Sequence, residues 1–139
     1  METTKRSKLG ELEDLAEEVS KKLMEKSESL KDEEDPTVKL TVDNFFEVIS
    51  RNRIVVVDFW APWCAPCFLY EPAFKRVAKK YKGAAVFGRV NVDENSKIAD
   101  EFQVLNIPTT LIIVNGKVAD IVVGAVDEEI LEEHLKRFL

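Results

Sequence analysis

A chain of 139 residues, 45% hydrophobic and 33% charged, has apolar material for one small folded domain and little besides. Its net charge of -6, without a dense Lys/Arg stripe, speaks against binding the phosphate backbone of nucleic acid. No apolar run approaches the roughly 18 residues that span a bilayer, and the stretch METTKRSKLGELEDL lacks the apolar core of a secretory signal, so no membrane partner and a cytoplasmic location are expected.

Residues 1–36 carry 7 Lys/Arg against 12 Asp/Glu, a net of -5, whereas residues 37–139 are close to neutral. Within this acidic extension Leu9, Leu12, Ala16, Val19, Leu23 and Leu30 recur at three-four spacing, interrupted by Lys26, which predicts an amphipathic helix. Asp35-Pro36 closes it, because proline disfavours helix at the residue before it. The expected organisation is a charged helical extension and linker over 1–36 and a compact domain over 37–139. The leucine stripe is either a solvated arm or a surface for self-association or docking through residues 9–30.

The domain alternates strand and helix patterns. Val38 to Leu40 predicts a short edge strand, Asp43 to Arg51 a short helix burying Phe45, Phe46 and Ile49, and Ile54 to Phe59 a central strand covered on both faces. Phe68 to Tyr81 has helical spacing with Pro72 inside it, where a kink is expected. Ala84 to Val92 is a strand pattern, Ser96 to Phe102 a short helix, and Thr110 to Val114 a strand. Asn115-Gly116 before Val118 to Val123 predicts a type I′ hairpin, since both turn positions need φ > 0. Asp127 then predicts the N-cap of a last helix, with Glu128 and Glu129 in its first turn and Lys136-Arg137 in its last. The order β-α-β-α-β-α-β-β-α implies an α/β fold, a mixed sheet with helices on both faces.

Both cysteines of the chain, Cys64 and Cys67, lie in Phe59-Trp60-Ala61-Pro62-Trp63-Cys64-Ala65-Pro66-Cys67-Phe68. A zinc site needs about four ligands. With His134 as the lone histidine, expected on the polar side of the last helix as a surface residue, metal within one chain is disfavoured and only a site shared between two chains stays open. Thiol–disulfide exchange needs less: an exposed thiolate, a nearby resolving thiol, and an environment that lowers the first pKa. Cys64 sits at the strand-to-helix junction, where the unpaired N–H groups and the dipole favour an anion. Pro66 falls in the first turn, where its missing N–H costs nothing, and Cys67, one turn in, is expected to be shielded and to act second.

The segment from Thr37 to Leu139 resembles the thioredoxins. The resemblance rests on Trp63-Cys64-Ala65-Pro66-Cys67, on Asp58-Phe59-Trp60-Ala61 before it, and on Pro72, Ile107-Pro108-Thr109, Asn115-Gly116 and Gly124 after it, in the family's order. It implies a thioredoxin fold, no cofactor beyond a Cys64–Cys67 redox-active disulfide, reduction of protein disulfides through a mixed disulfide, and a flavin-dependent thioredoxin reductase and disulfide-bearing clients as partners. By the same resemblance Cys64 would attack, Cys67 would resolve, and Asp58, interrupting an apolar strand, would have a raised pKa and take the Cys67 proton through water. Pro108 would be cis and present the Ile107 backbone to a client, Trp60 and Trp63 would wall the sulfurs beside Ala65 and Pro66, and Gly124 would leave room for a partner backbone.

Three positions depart from the family pattern. Ala65 replaces a usual glycine and is expected to stiffen the loop and alter the redox potential. Phe68 stands where a cation is common, and Arg89 replaces a lysine near the buried carboxylate, where it would hold Asp58 ionised more firmly and so oppose the rise in its pKa. A binding or assembly module docking through its N-terminal helix is the alternative from another class. A disulfide isomerase or oxidase is a further one, disfavoured because strongly oxidising relatives usually carry histidine in the dipeptide held here by Ala65-Pro66.

Overall fold

The computed structural model describes residues 35–139. The expected helix over 9–30 therefore lies outside the described residues. The strands are β1 (Val38–Lys39), β2 (Ile54–Trp60), β3 (Val86–Asn91), β4 (Thr109–Val114) and β5 (Lys117–Val123), and the helices α1 (Phe45–Arg51), α2 (Ala65–Lys80), α3 (Ser96–Glu101) and α4 (Glu128–Lys136). They follow one another in the expected order, and the sheet runs β1-β3-β2-β4-β5. β3 pairs in parallel with β1 and β2, while β4 is antiparallel to both β2 and β5.

The central position of β2 explains its composition. Val55, Val57 and Phe59 point into a core with Phe45 and Ile49 of α1 and Ile98 and Ala99 of α3. Ile54 and Val56 point the other way, to Tyr70, Phe74 and Val77 of α2 and Leu131 and Leu135 of α4. Each such buried aliphatic side chain contributes about 1.5–3 kcal/mol of transfer free energy. A strand with no solvent face leaves no place for polar alternation, so the run reads as continuous apolar sequence. Phe46, expected to be buried, is instead about half exposed, because α1 turns only Phe45 and Ile49 inward.

Asn115 and Gly116 have φ of 52° and 79°, and Val114 pairs with Lys117 across them, as the type I′ turn requires. The register shifts between Ile112 and Ile113, a bulge that no residue pattern announced. Gly88 is a glycine for a tertiary reason: a Cβ there would lie 2.2 Å from Cδ1 of Leu40. Asp127 occupies the N-cap position of α4, but its side chain makes no capping hydrogen bond. The acidic residues of α4 are used instead across the helix pair, Glu128 with Arg76 and Glu132 with Lys80 of α2.

Candidate active site

α2 begins at Ala65, three residues before the helical spacing became legible, and the chain enters it through Cys64. Cys64 is the N-cap, in extended conformation, and its Sγ accepts a hydrogen bond from the Cys67 N–H at 3.2 Å. Ala65 and Pro66 form the first helical positions, where no N–H is required of the proline. The sulfur thus sits where orphan backbone donors and the dipole of a 16-residue helix both stabilise negative charge. Cys64 and Cys67 are joined as a disulfide, with Cα atoms 5.3 Å apart. In this oxidised form the expected contrast in exposure is small: Cys64 is 4% and Cys67 1% accessible. What separates them is position, one before the helix and one inside its first turn.

Trp60, Val92 and Ile107 pack against the cysteines and Ala61. The Ile107–Pro108 bond is cis, and the Ile107 carbonyl oxygen lies 3.8 Å from Cys64 Sγ. Gly124 donates its N–H to the Pro108 carbonyl at 2.8 Å and has φ of +99°, while the space its Cβ would fill is open. Its conformation, not crowding within the chain, calls for glycine. Trp63 departs from the expected apolar wall: it is 70% exposed, is absent from the cluster around the sulfurs, and donates its ring N–H to Asp93 at 3.2 Å. Phe68, half exposed, meets the Trp60 ring edge-on at 6.4 Å between centroids.

Behind this surface a polar row crosses the sheet. Asp58 pairs in register with Arg89 of β3 on one side and with Thr110 of β4 on the other. Asp58 alternates with Ile54 and Val56 and so shares their face, the one α2 covers. It is fully buried, with Oδ2 accepting from Arg89 Nε at 3.1 Å and Oδ1 accepting from no protein group. Arg89 continues to Glu71 Oε1 of α2 at 3.4 Å, and its guanidinium stacks 4.5 Å from the centroid of Trp60. Burial raises the Asp58 pKa, the charge and hydrogen bond of Arg89 pull it back and Glu71 adds a smaller push upward, for a net rise from 3.8 to about 6. The arginine therefore moderates the rise without cancelling it.

A thioredoxin family model matches residues 36–137. The chain belongs to the thioredoxin family. It is 41% identical over 93 residues to a thioredoxin of Chlorobaculum thiosulfatiphilum, covering 64% of this chain and 86% of the relative. It is also 41% identical over 106 residues to a thioredoxin of Griffithsia pacifica, covering 72% and 97%. Among solved structures, the oxidised mitochondrial thioredoxin 3 of Saccharomyces cerevisiae is similar at 31% identity and a TM-score of 0.68, covering 73% of this chain and 95% of that one. As a thioredoxin, the chain is a thiol–disulfide oxidoreductase that reduces protein disulfides, with Cys64–Cys67 as its redox-active disulfide.

Among the described residues no cluster of three or more His, Cys, Asp or Glu side chains is placed to hold a metal ion, and no helix is long and apolar enough to cross a membrane. His134 is partly exposed, its side chain 26% accessible, and its Nδ1 lies 2.6 Å from Asp120 Oδ2 of β5. The thioredoxin site brings together Cys64, Cys67, Trp60 and Ile107 in one apolar cluster, and Asp58 with Arg89 in one ion pair. Tyr70 and Glu71 of α2 and Thr110 of β4 were missed. Their only signal was position: Tyr70 falls one turn after Cys67 and one turn before Phe74, on the buried face of the helix.

Proposed function

We propose that Cys64 is the attacking thiolate and Cys67 the resolving thiol of a cytoplasmic disulfide reductant. In the first step Cys64 sulfur bonds to one client sulfur and the other client sulfur leaves as a thiolate. Cys67 then attacks Cys64 Sγ, the second client thiolate departs, and two electrons have passed to the client. The observation that carries the assignment is the Cys67 N–H donated to Cys64 Sγ at the start of α2, which favours charge on that sulfur and not the other.

Asp58 serves as proton acceptor for Cys67, through water, and Arg89 tunes it. Its burial on the α2-facing side of the sheet and its pKa of about 6 support this, since a base poised near the working pH transfers protons best. The Ile107 backbone beside Cys64, with Pro108 and Gly124 behind it, receives an extended client segment; Trp60 packs against the sulfurs, and the exposed Trp63, Ala65 and Pro66 offer outer contact surface to the client. A flavin-dependent thioredoxin reductase returns the electrons, because the disulfide must be reduced again after each client. A reducing compartment is where such a carrier is useful. The start of the family match at residue 36 supports treating residues 1–36 as an appendage to a redox domain over 37–139.

The test is insulin-disulfide reduction with dithiothreitol as electron source. Cys64→Ser is expected to abolish catalysis, and Cys67→Ser to accumulate mixed disulfides with the client, visible by non-reducing electrophoresis. Full turnover in either variant would remove the assignment.

A further inference from the structure

The row that contains Asp58 is engaged by α2 at both ends, through consecutive residues. Glu71 reaches Arg89, and the Tyr70 hydroxyl lies 2.7 Å from Thr110 Oγ1. Tyr70 is 1% accessible, and Asp58 and Thr110 are fully covered. A pair of hydroxyls carries two hydrogens, and their mutual bond uses one. The other needs an acceptor, since a buried hydroxyl hydrogen left unpaired is destabilising. Next to it in the row stands Asp58 Oδ1, buried and accepting from no protein group. Residues directly opposed across two antiparallel strands have Cβ atoms about 4.5–5.5 Å apart, so the Thr110 hydroxyl and this oxygen are within the span of one bridging water.

The direction of the chain of bonds follows from the acceptor that lies beside Thr110. Burial, with the charge of Asp58 adding to it, raises the Tyr70 pKa above its ordinary 10.0, so both hydroxyls keep their hydrogens and either could donate to the other; the acceptor left over beside Thr110, Asp58 Oδ1, favours the order in which Tyr70 donates to Thr110. Asp58 is faced by Arg89 from β3, by Tyr70 and Glu71 from α2, which also carries Cys67, and by Thr110 from β4. Arg89 Nε is spent on Oδ2, which leaves Oδ1 to the hydroxyl pair acting through the bridging water.

We propose that Tyr70 and Thr110 are positioning residues for the resolving step: the Tyr70 O–H donates to Thr110 and thereby orients the Thr110 hydroxyl hydrogen, through one bridging water, toward Asp58 Oδ1. This rests on the reading of Asp58 as the proton acceptor. No proton passes through the pair. The Cys67 S–H proton goes to the Asp58 carboxylate, leaving the Cys67 thiolate that attacks Cys64 Sγ. By favouring the carboxylate before transfer, the pair keeps Asp58 more acidic than burial alone would make it.

The measurement is the midpoint of Asp58 ionisation, followed by carboxyl carbon NMR in the reduced full-length protein, beside the pH profile of insulin reduction. Thr110→Val and Tyr70→Phe each preserve shape and remove a hydroxyl. Each is expected to move the midpoint up by about 1 to 2 pH units, the size of one lost charge-assisted hydrogen bond, with the profile moving in the same direction. Because the two act in series, the double variant should move no further than Thr110→Val. Thr110→Ser keeps the hydroxyl and should retain the wild-type midpoint. Unchanged midpoints in Thr110→Val and Tyr70→Phe, or a Thr110→Ser shift as large as that of Thr110→Val, would overturn the proposal and leave the Asp58 reading standing. An Asp58→Asn profile identical with wild type would instead remove the reading beneath it.

Discussion

The two halves of β2 are built on opposite terms. Ile54 to Val57 alternate between two dry cores and have apolar neighbours on both faces. Asp58 to Trp60 keep the same burial almost to the end of the strand, yet on the α2 side they exchange aliphatic packing for an ion pair, a stacked guanidinium and a hydroxyl pair. The first half contributes stability through area removed from water. The second carries a buried carboxylate whose ionisation burial opposes, and the folded protein retains it beside the reactive sulfurs. Structure-making and reactivity are therefore separated along one strand by a single residue step.

The contrast can be tested from its strongest side downward. Phe74→Ala empties a fully buried position in the core that α2 shares with β2 and β3. It is expected to cost about 3–5 kcal/mol, read from urea unfolding, while insulin reduction per folded molecule stays within about twofold of wild type. A comparable loss of catalysis in the folded fraction would show the two halves to be coupled.

Asp58→Asn should act in the opposite sense. With a folded-state pKa of about 6 against an ordinary 3.8, native Asp58 binds its proton more tightly than in the unfolded chain. That contribution to stability is fully present below about pH 4 and is lost as pH rises through about 6. The stability of Asp58→Asn relative to wild type is therefore expected to grow by about 2–3 kcal/mol between pH 4 and pH 7. A difference that does not vary with pH would mean that burial does not raise this carboxyl.

The smallest effect is expected from removing residues 1–36, which lie before the strands and helices that build the site. Insulin turnover should stay within about twofold, and sedimentation of the full and shortened chains would show whether the extension joins copies together. A large loss of turnover would favour the docking-module alternative.

Much of this was legible locally. Asn115-Gly116 specified its turn because two left-handed residues in succession have few other uses, and the apolar run Ile54 to Val57 announced a strand without a wet face. The cysteine pair with Pro66 marked a helix start before the helical spacing did, because a proline and an N-capping sulfur are both first-turn signals. The partners of Trp63 and His134 were not legible, for a common reason. Each finds its partner, Asp93 or Asp120, on a segment distant in sequence, and a side chain's type says nothing of which acidic residue the fold will bring to it.

By itself the order of residues determined the succession of strands and helices, the hairpin and the identity of the two reacting sulfurs, since these depend on neighbours within a few positions. Only the tertiary structure decided that Arg89, Asp58 and Thr110 stand side by side under Tyr70 and Glu71. Strand register and helix docking are set by the packing of the whole sheet, and a shift of one residue in either would have turned each of these groups to another face.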